Sequence, residues 1–183
     1  MQNTSVWFAL KNFNMGKTKI LTFDNKITIA VAQFIILFGI AVIAPLFGQQ
    51  LVTGTIVNFI LFVAVFLLGA KSAILIGLFP SLIALGVGIL PLILFPIIPF
   101  IIASNILLIL VFKIFSKINY WFAVISASIA KFVFLTIIGF LFISLSKNFL
   151  PLLGIISGMQ LITSLSGGLM AVLFIHAIRA SSE

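Results

Sequence analysis

The sequence predicts an all-α, polytopic membrane protein with six transmembrane helices in one bundle and both termini cytoplasmic. Three observations lead there. Of its 183 residues 63% are hydrophobic and only 7% charged, where soluble domains carry about 25% charged residues. A soluble domain of this size could not bury so much apolar surface, so the bilayer must be the solvent. The apolar residues also fall into six runs, each near or above the ~20 residues that a spanning helix needs. Finally, the basic residues sort themselves by loop, as described below.

Residues 1–26 form a mixed N-terminal segment, with Trp7, Phe8, Leu10 and Phe13 beside Lys11, Lys17, Lys19 and Lys26. No apolar core with a small-residue cleavage pattern occurs here, so it does not read as a secretory signal. Gly16-Lys17-Thr18 resembles the end of a phosphate-binding loop, but Lys11 stands where the pattern needs glycine, and the match is chance. Met15 as an alternative start and an interfacial amphipathic turn are competing readings of this segment. Residues 27–178 form the transmembrane domain, and 179–183 a cytoplasmic tail.

The six segments are expected at about 27–47, 51–69, 72–90, 92–112, 120–145 and 150–178. The breaks between them are short, which makes consecutive helices antiparallel neighbours. Prolines 45, 80, 91, 96, 99 and 151 mark ends and kinks. With Pro96 and Pro99 near its beginning, segment four should start as irregular backbone and become regular at about Ile101. Such backbone is tolerated at membrane depth only where protein covers it or a wet cavity borders it. Small residues at Gly39, Ala41, Ala44, Gly86, Gly88, Gly154, Gly158, Gly167 and Gly168 offer close helix packing.

Orientation follows from charge. With the N-terminus inside, the inner loops and ends hold Lys11, Lys17, Lys19, Lys26, Lys71, Lys113, Lys117 and Arg179, and the outer loops hold only Lys147. That asymmetry supports six spans with both ends cytoplasmic. His176 and Arg179 read as anchors at the inner end of segment six.

Composition excludes several functions. There is no cysteine, one histidine (His176) and two acidic residues, Asp24 and Glu183. A metal centre, a disulfide framework, a protein-ligated iron–sulfur cluster and paired carboxylates for acid–base work therefore have no residues to build on. The chain is not expected to be an enzyme or to need a cofactor. The net charge of +8 is dispersed between apolar segments instead of clustered, which suits membrane orientation and not nucleic-acid binding.

What remains are the polar residues inside the apolar segments. Gln49 and Gln50 lie in the turn before segment two, followed by Thr53 and Asn58; Asn105 lies in segment four, and Gln160 and Thr163 in segment six. Lys131 falls near the middle of segment five. A lysine at that depth costs about 2.5–3.5 kcal/mol on insertion scales and marks a functional path by default. Snorkelling to an interface or a bond to helix carbonyls is the structural alternative. For the amides, interhelical hydrogen bonds worth ~0.6 kcal/mol each are the alternative to ligand contacts. As a set, Gln49, Gln50, Thr53, Asn58, Asn105, Lys131, Gln160 and Thr163 are expected to line a substrate pocket that opens outward. With no carboxylate in the membrane to pair with Lys131, a ligand or a partner would supply the negative charge.

The stretches Gln49-Gln50-Leu51-Val52-Thr53-Gly54-Thr55-Ile56-Val57-Asn58, Leu68-Gly69-Ala70-Lys71-Ser72-Ala73, Gly77-Leu78-Phe79-Pro80-Ser81, Pro99-Phe100-Ile101-Ile102-Ala103-Ser104-Asn105, Gln160-Leu161-Ile162-Thr163 and Gly167-Gly168 together resemble the substrate-binding (S) component of energy-coupling factor (ECF) vitamin transporters, in a small bacterial branch with unassigned substrate. The resemblance implies a bacterial protein that captures a vitamin-like small molecule from outside and docks on a membrane coupling subunit served by two ATPase subunits. One departure concerns docking. Members of that family often use an Ala-x-x-x-Ala pattern in the first helix, and no two alanines here stand four apart in segment one, so the docking surface is not carried over. A structural subunit of a membrane complex and a stand-alone carrier are the competing functions.

Overall fold

The structure, a computed structural model, describes residues 25–88, 92–145 and 157–180. The N-terminal segment up to Asp24, Pro91, Lys147, Pro151, Gly154 and the last three residues lie outside them. The described residues form six α-helices: α1 (Asn25–Ile43), α2 (Gln50–Leu68), α3 (Ala70–Gly86), α4 (Ile98–Phe115), α5 (Tyr120–Leu145) and α6 (Met159–Ala180). Short 3-10 turns at Ala44–Phe47 and Leu92–Ile97 precede α2 and α4. The irregular start expected for segment four is thus a 3-10 turn through Pro96, with Pro99 in the first turn of α4, where a missing N–H costs nothing.

Five helical stretches are long and apolar enough to cross a membrane: Lys26–Phe47, Gln50–Leu68, Phe95–Phe115, Tyr120–Ser144 and Met159–Ile178. The remaining helix, α3, is apolar but has 17 residues, about 26 Å at 1.5 Å per residue. It is shorter than the expected 72–90 because its regular turns end at Gly86.

Two glycine junctions set the connections. Gly48 closes the first 3-10 turn at φ +69°, and Gly69 alone separates α2 from α3 at φ +85°. Residues with a Cβ rarely adopt such a conformation. The Thr53 hydroxyl then donates to the Ala44 carbonyl at 3.0 Å, tying the 3-10 turn after α1 to the first turn of α2.

Helix α2 is the axis of the bundle. Ile60, Leu61, Phe62, Val63 and Ala64 are all fully buried, and five consecutive residues cover every side of a helix with 3.6 residues per turn. It packs on α1, α3, α4 and α6, while α5 bridges α4 and α6. The core around it includes Phe62 edge-on to Phe112 at 4.7 Å, and Phe112 edge-on to Tyr120 at 5.6 Å. The Tyr120 hydroxyl donates to the Gly168 carbonyl at 2.8 Å, joining α5 to α6.

The glycines of α6 account for the closeness of its contacts. A Cβ on Gly167 would stand 2.6 Å from the Phe59 backbone nitrogen, and one on Gly168 would collide with the Val124 side chain. Gly54 of α2 meets Thr163 in the same way, at 2.9 Å. By contrast, Gly39, Gly86, Gly88 and Gly158 have nothing within 4 Å of a Cβ position. Those four do not mediate close packing as their composition suggested, because they face away from neighbouring helices.

The outer surface is apolar: Ile27, Ile35, Ile36, Ile114, Phe140 and Leu173 are among the many large hydrophobic side chains that are more than half exposed. Lys131, Asn58, Asn105, Gln160 and Thr163 are buried. This inversion of the water-soluble pattern, polar inside and apolar outside, suits hydrocarbon as the surrounding solvent. With five helices of spanning length, the chain is an all-helical, multi-pass membrane protein.

Candidate functional site

Lys131 is the twelfth residue of α5, ~17 Å from its start and ~21 Å from its end at 1.5 Å per residue. It is 2% exposed, so its side chain does not snorkel out of the bundle. Nζ donates to Asn58 Oδ1 of α2 and to Asn105 Oδ1 of α4, both at 2.8 Å. The amide groups of those asparagines point the other way: Asn58 Nδ2 donates to Thr163 Oγ1 at 3.2 Å, and Asn105 Nδ2 to the Gly77 carbonyl at 3.4 Å. Thr163 in turn donates to the Gln160 carbonyl at 3.2 Å. One chain of hydrogen bonds therefore links α2, α3, α4, α5 and α6.

Both asparagines orient their oxygens toward Nζ because the other end of each amide already faces an acceptor. An ammonium has three N–H donors, and two are engaged here. No aspartate or glutamate occurs among the described residues, so the partners of Lys131 are neutral amides only. A charge held this way is hydrogen-bonded but not neutralised.

Lys131 borders a cavity of about 70 Å³. Gln50, Thr53, Gly54, Val57 and Asn58 line it from α2, and Pro80, Ser81 and Ala84 from α3; Ile101 and Asn105 (α4), Lys131 (α5) and Gln160 (α6) complete the wall. The lining unites the first halves of α2, α4 and α6 with the second half of α3. That is the antiparallel alternation that the short breaks predicted. The cavity runs from this end of the bundle to its middle. Its volume is far below the ~300–1,000 Å³ usual for a small-molecule pocket.

Of the eight residues predicted from the sequence, Gln50, Thr53, Asn58, Asn105, Lys131 and Gln160 line this cavity. Thr163 lies one hydrogen bond behind it, on Asn58. Gln49 is exposed in the turn before α2 and is not part of the lining. Its carbonyl accepts the first helical hydrogen bond, from Thr53 N at 2.9 Å, and its side chain caps nothing. Ser81 and Pro80 were missed as site residues. Gly77, Ser81 and Ala84 recur at i, i+4 and i+7, a stripe of small residues down one helix face, and that spacing was the available signal.

Other small polar residues serve their own helices. Ser104 and Ser164 donate to carbonyls three residues back, at 2.7 and 3.0 Å. Ser128 Oγ is buried without a partner. No group of three or more potential metal ligands occurs among the described residues.

A multi-pass helical membrane protein with a buried polar centre on five helices is the class that the fold and the site define. No protein-family model matches the chain, and no curated protein or solved structure is significantly similar to it.

Proposed function

We propose that the chain is a membrane-embedded binding subunit that captures a small molecule bearing a carboxylate or another anionic group, with Lys131 as the seat of that group. The observation that carries this reading is a buried lysine on a cavity wall with amide partners and no carboxylate among the described residues. In this reading an anionic ligand group receives the third N–H of Lys131, and Gln50, Ser81 and Gln160 offer further polar contacts toward the mouth. The cavity admits only the anionic end of a vitamin-sized ligand. The rest is accommodated when the mouth widens, and α3 is the element suited to moving: it is short, carries Pro80 on the cavity wall, and is joined to α2 through Gly69.

The resemblance to S components of ECF importers supplies the wider form of the proposal. A vitamin-like substrate would be taken up by six spans in a bacterial cytoplasmic membrane, with both termini inside. A coupling subunit and two ATPase subunits would drive its release. The described lysines support that orientation, since Lys26, Lys71, Lys113 and Lys117 all belong to the end of the bundle away from the cavity mouth, and lysines favour the cytoplasmic side.

A specific observation favours a second reading. Lys131, Asn58, Asn105 and Thr163 bond to one another, as the hydrogen-bonded core of a purely structural subunit would. One experiment separates the two. The chain is purified from its own membranes with and without Lys131→Met, and small molecules released on denaturation are identified by mass spectrometry. A bound anionic compound in the parent protein, lost in a variant of unchanged melting temperature, is expected. A parent protein that releases none and captures no ATPase or coupling subunit would overturn the importer proposal.

A further inference from the structure

The far end of the bundle carries a larger concavity that the polar centre does not use. It has a volume of about 470 Å³ and lies between the ends of α2, α4 and α6 and the start of α5. Its polar wall includes Ser116, Lys117, Asn119 and His176, and its apolar wall Phe66 and Val172. The Ser116 hydroxyl is engaged by the Lys113 carbonyl, and the Asn119 amide oxygen by the Phe122 N–H. Among the described residues, the side chains of Lys117 and His176 have no hydrogen-bond partner. This end also bears Lys26, Lys71 and Lys113, and no described residue is acidic. Lys117 therefore has no acidic partner among the described residues.

The position of the groove identifies that molecule's class. Tyr120 and the half-exposed Trp121 begin α5 beside it, and such aromatic residues sit at the headgroup level of a bilayer. Ile118 in the groove's wall is 75% exposed, and Ile114 at the end of α4 is 63% exposed, apolar surface that in a bilayer meets acyl chains. A phosphate accepting hydrogen bonds from a lysine, with hydrocarbon alongside, is the chemistry of a phospholipid. Basic pockets between helices at this depth suit anionic headgroups. From this juxtaposition we infer that the groove between the ends of α2, α4 and α6 and the start of α5 is a binding site for an anionic phospholipid, with its phosphate at Lys117 and His176. The inference is independent of any importer function.

Native mass spectrometry tests it, on the purified full chain in nonionic detergent with added phosphatidylglycerol, phosphatidylcholine or inorganic phosphate. Phosphatidylglycerol should be retained in preference to phosphatidylcholine. Lys117→Gln should weaken its retention about fivefold, the worth of one lysine at an anionic surface, and adding His176→Gln should weaken it further. Lys71→Gln removes a charge from the same end but outside the groove, and should leave retention unchanged. Because Lys71 and Lys117 are both exposed, each variant should keep the parent melting temperature. Equal retention of phosphatidylcholine overturns the inference, as does a loss with Lys71→Gln as large as that with Lys117→Gln. Displacement of the lipid by inorganic phosphate at similar concentration would assign the groove to a free anion and overturn the lipid reading.

Discussion

A double-mutant cycle on Lys131 and Asn58 probes the buried network most directly. Asn58→Leu keeps the volume but removes one charge-assisted hydrogen bond at 2.8 Å and the bond to Thr163 at 3.2 Å. The first is worth about 1.5–3 kcal/mol and the second, as an interhelical bond in a membrane protein, about 0.6 kcal/mol. The expected destabilisation is roughly 2–3.5 kcal/mol, with the ammonium left on Asn105 alone. Lys131→Met removes two charge-assisted bonds, a larger loss. It also removes the several kcal/mol spent in desolvating a buried charge. The net change should lie within about 2 kcal/mol of zero, so removing the charge costs less than removing its partner. In the double variant no stranded ammonium remains, and its stability should exceed the sum of the single effects by about 1.5–3 kcal/mol. Reversible unfolding of the full chain in mixed detergent micelles supplies the free energies. Additivity within about 0.5 kcal/mol, or a larger loss for Lys131→Met than for Asn58→Leu, would refute the reasoning.

Other substitutions test the packing. Gly167→Ala should lose about 1–3 kcal/mol, since its Cβ meets backbone atoms of α2 that can yield only if the helices part; Gly39→Ala, with open space around it, should stay within about 0.5 kcal/mol. Both are read from the same unfolding curves. Gly69→Ala should cost about 1–3 kcal/mol, because φ +85° with ψ 169° is a conformation nearly reserved for glycine; unchanged stability would mean that the one-residue junction is not under that constraint. Tyr120→Phe removes only the hydroxyl that bonds the Gly168 carbonyl, and a loss of about 0.6 kcal/mol is expected, visible as a small drop in melting temperature with no change in helicity by circular dichroism.

Much of the architecture was legible because a bilayer imposes simple demands on a sequence. Spanning length and uninterrupted apolar character must be met by each segment alone, so the positions of the helices could be read one at a time. The proline-rich start of segment four was recognisable for a similar reason, since the effect of proline on backbone hydrogen bonds is local. Boundaries were less readable. The expected helix at 72–90 ends at Gly86, and the expected start of the last one at 150 lies outside the described residues. Apolar composition continues past the point where helical hydrogen bonding stops, and hydropathy does not register the difference.

The site was legible as a set of residue types and not as an arrangement. Polar groups in apolar helices must find partners, which singled out Asn58, Asn105, Lys131, Gln160 and Thr163. Gln49, one residue before a lining position, faces out, and its polarity alone carried no information about direction. Ser81 was overlooked because a lone serine in a membrane helix can bond to its own backbone, as Ser104 and Ser164 do.

By itself the amino-acid sequence determined that the chain lives in a membrane, that it is helical, and which side chains would be costly to leave unpaired there. These are properties of single segments against a uniform solvent. Tertiary structure alone decided that α2 would be the axis, that Asn58 and Asn105 would meet on Lys131, and that Gly167 would face α2 while Gly168 faces α5. Each of those outcomes depends on how helices rotate and tilt against one another. Residues 73 and 26 positions apart come together only when several interfaces are satisfied at once.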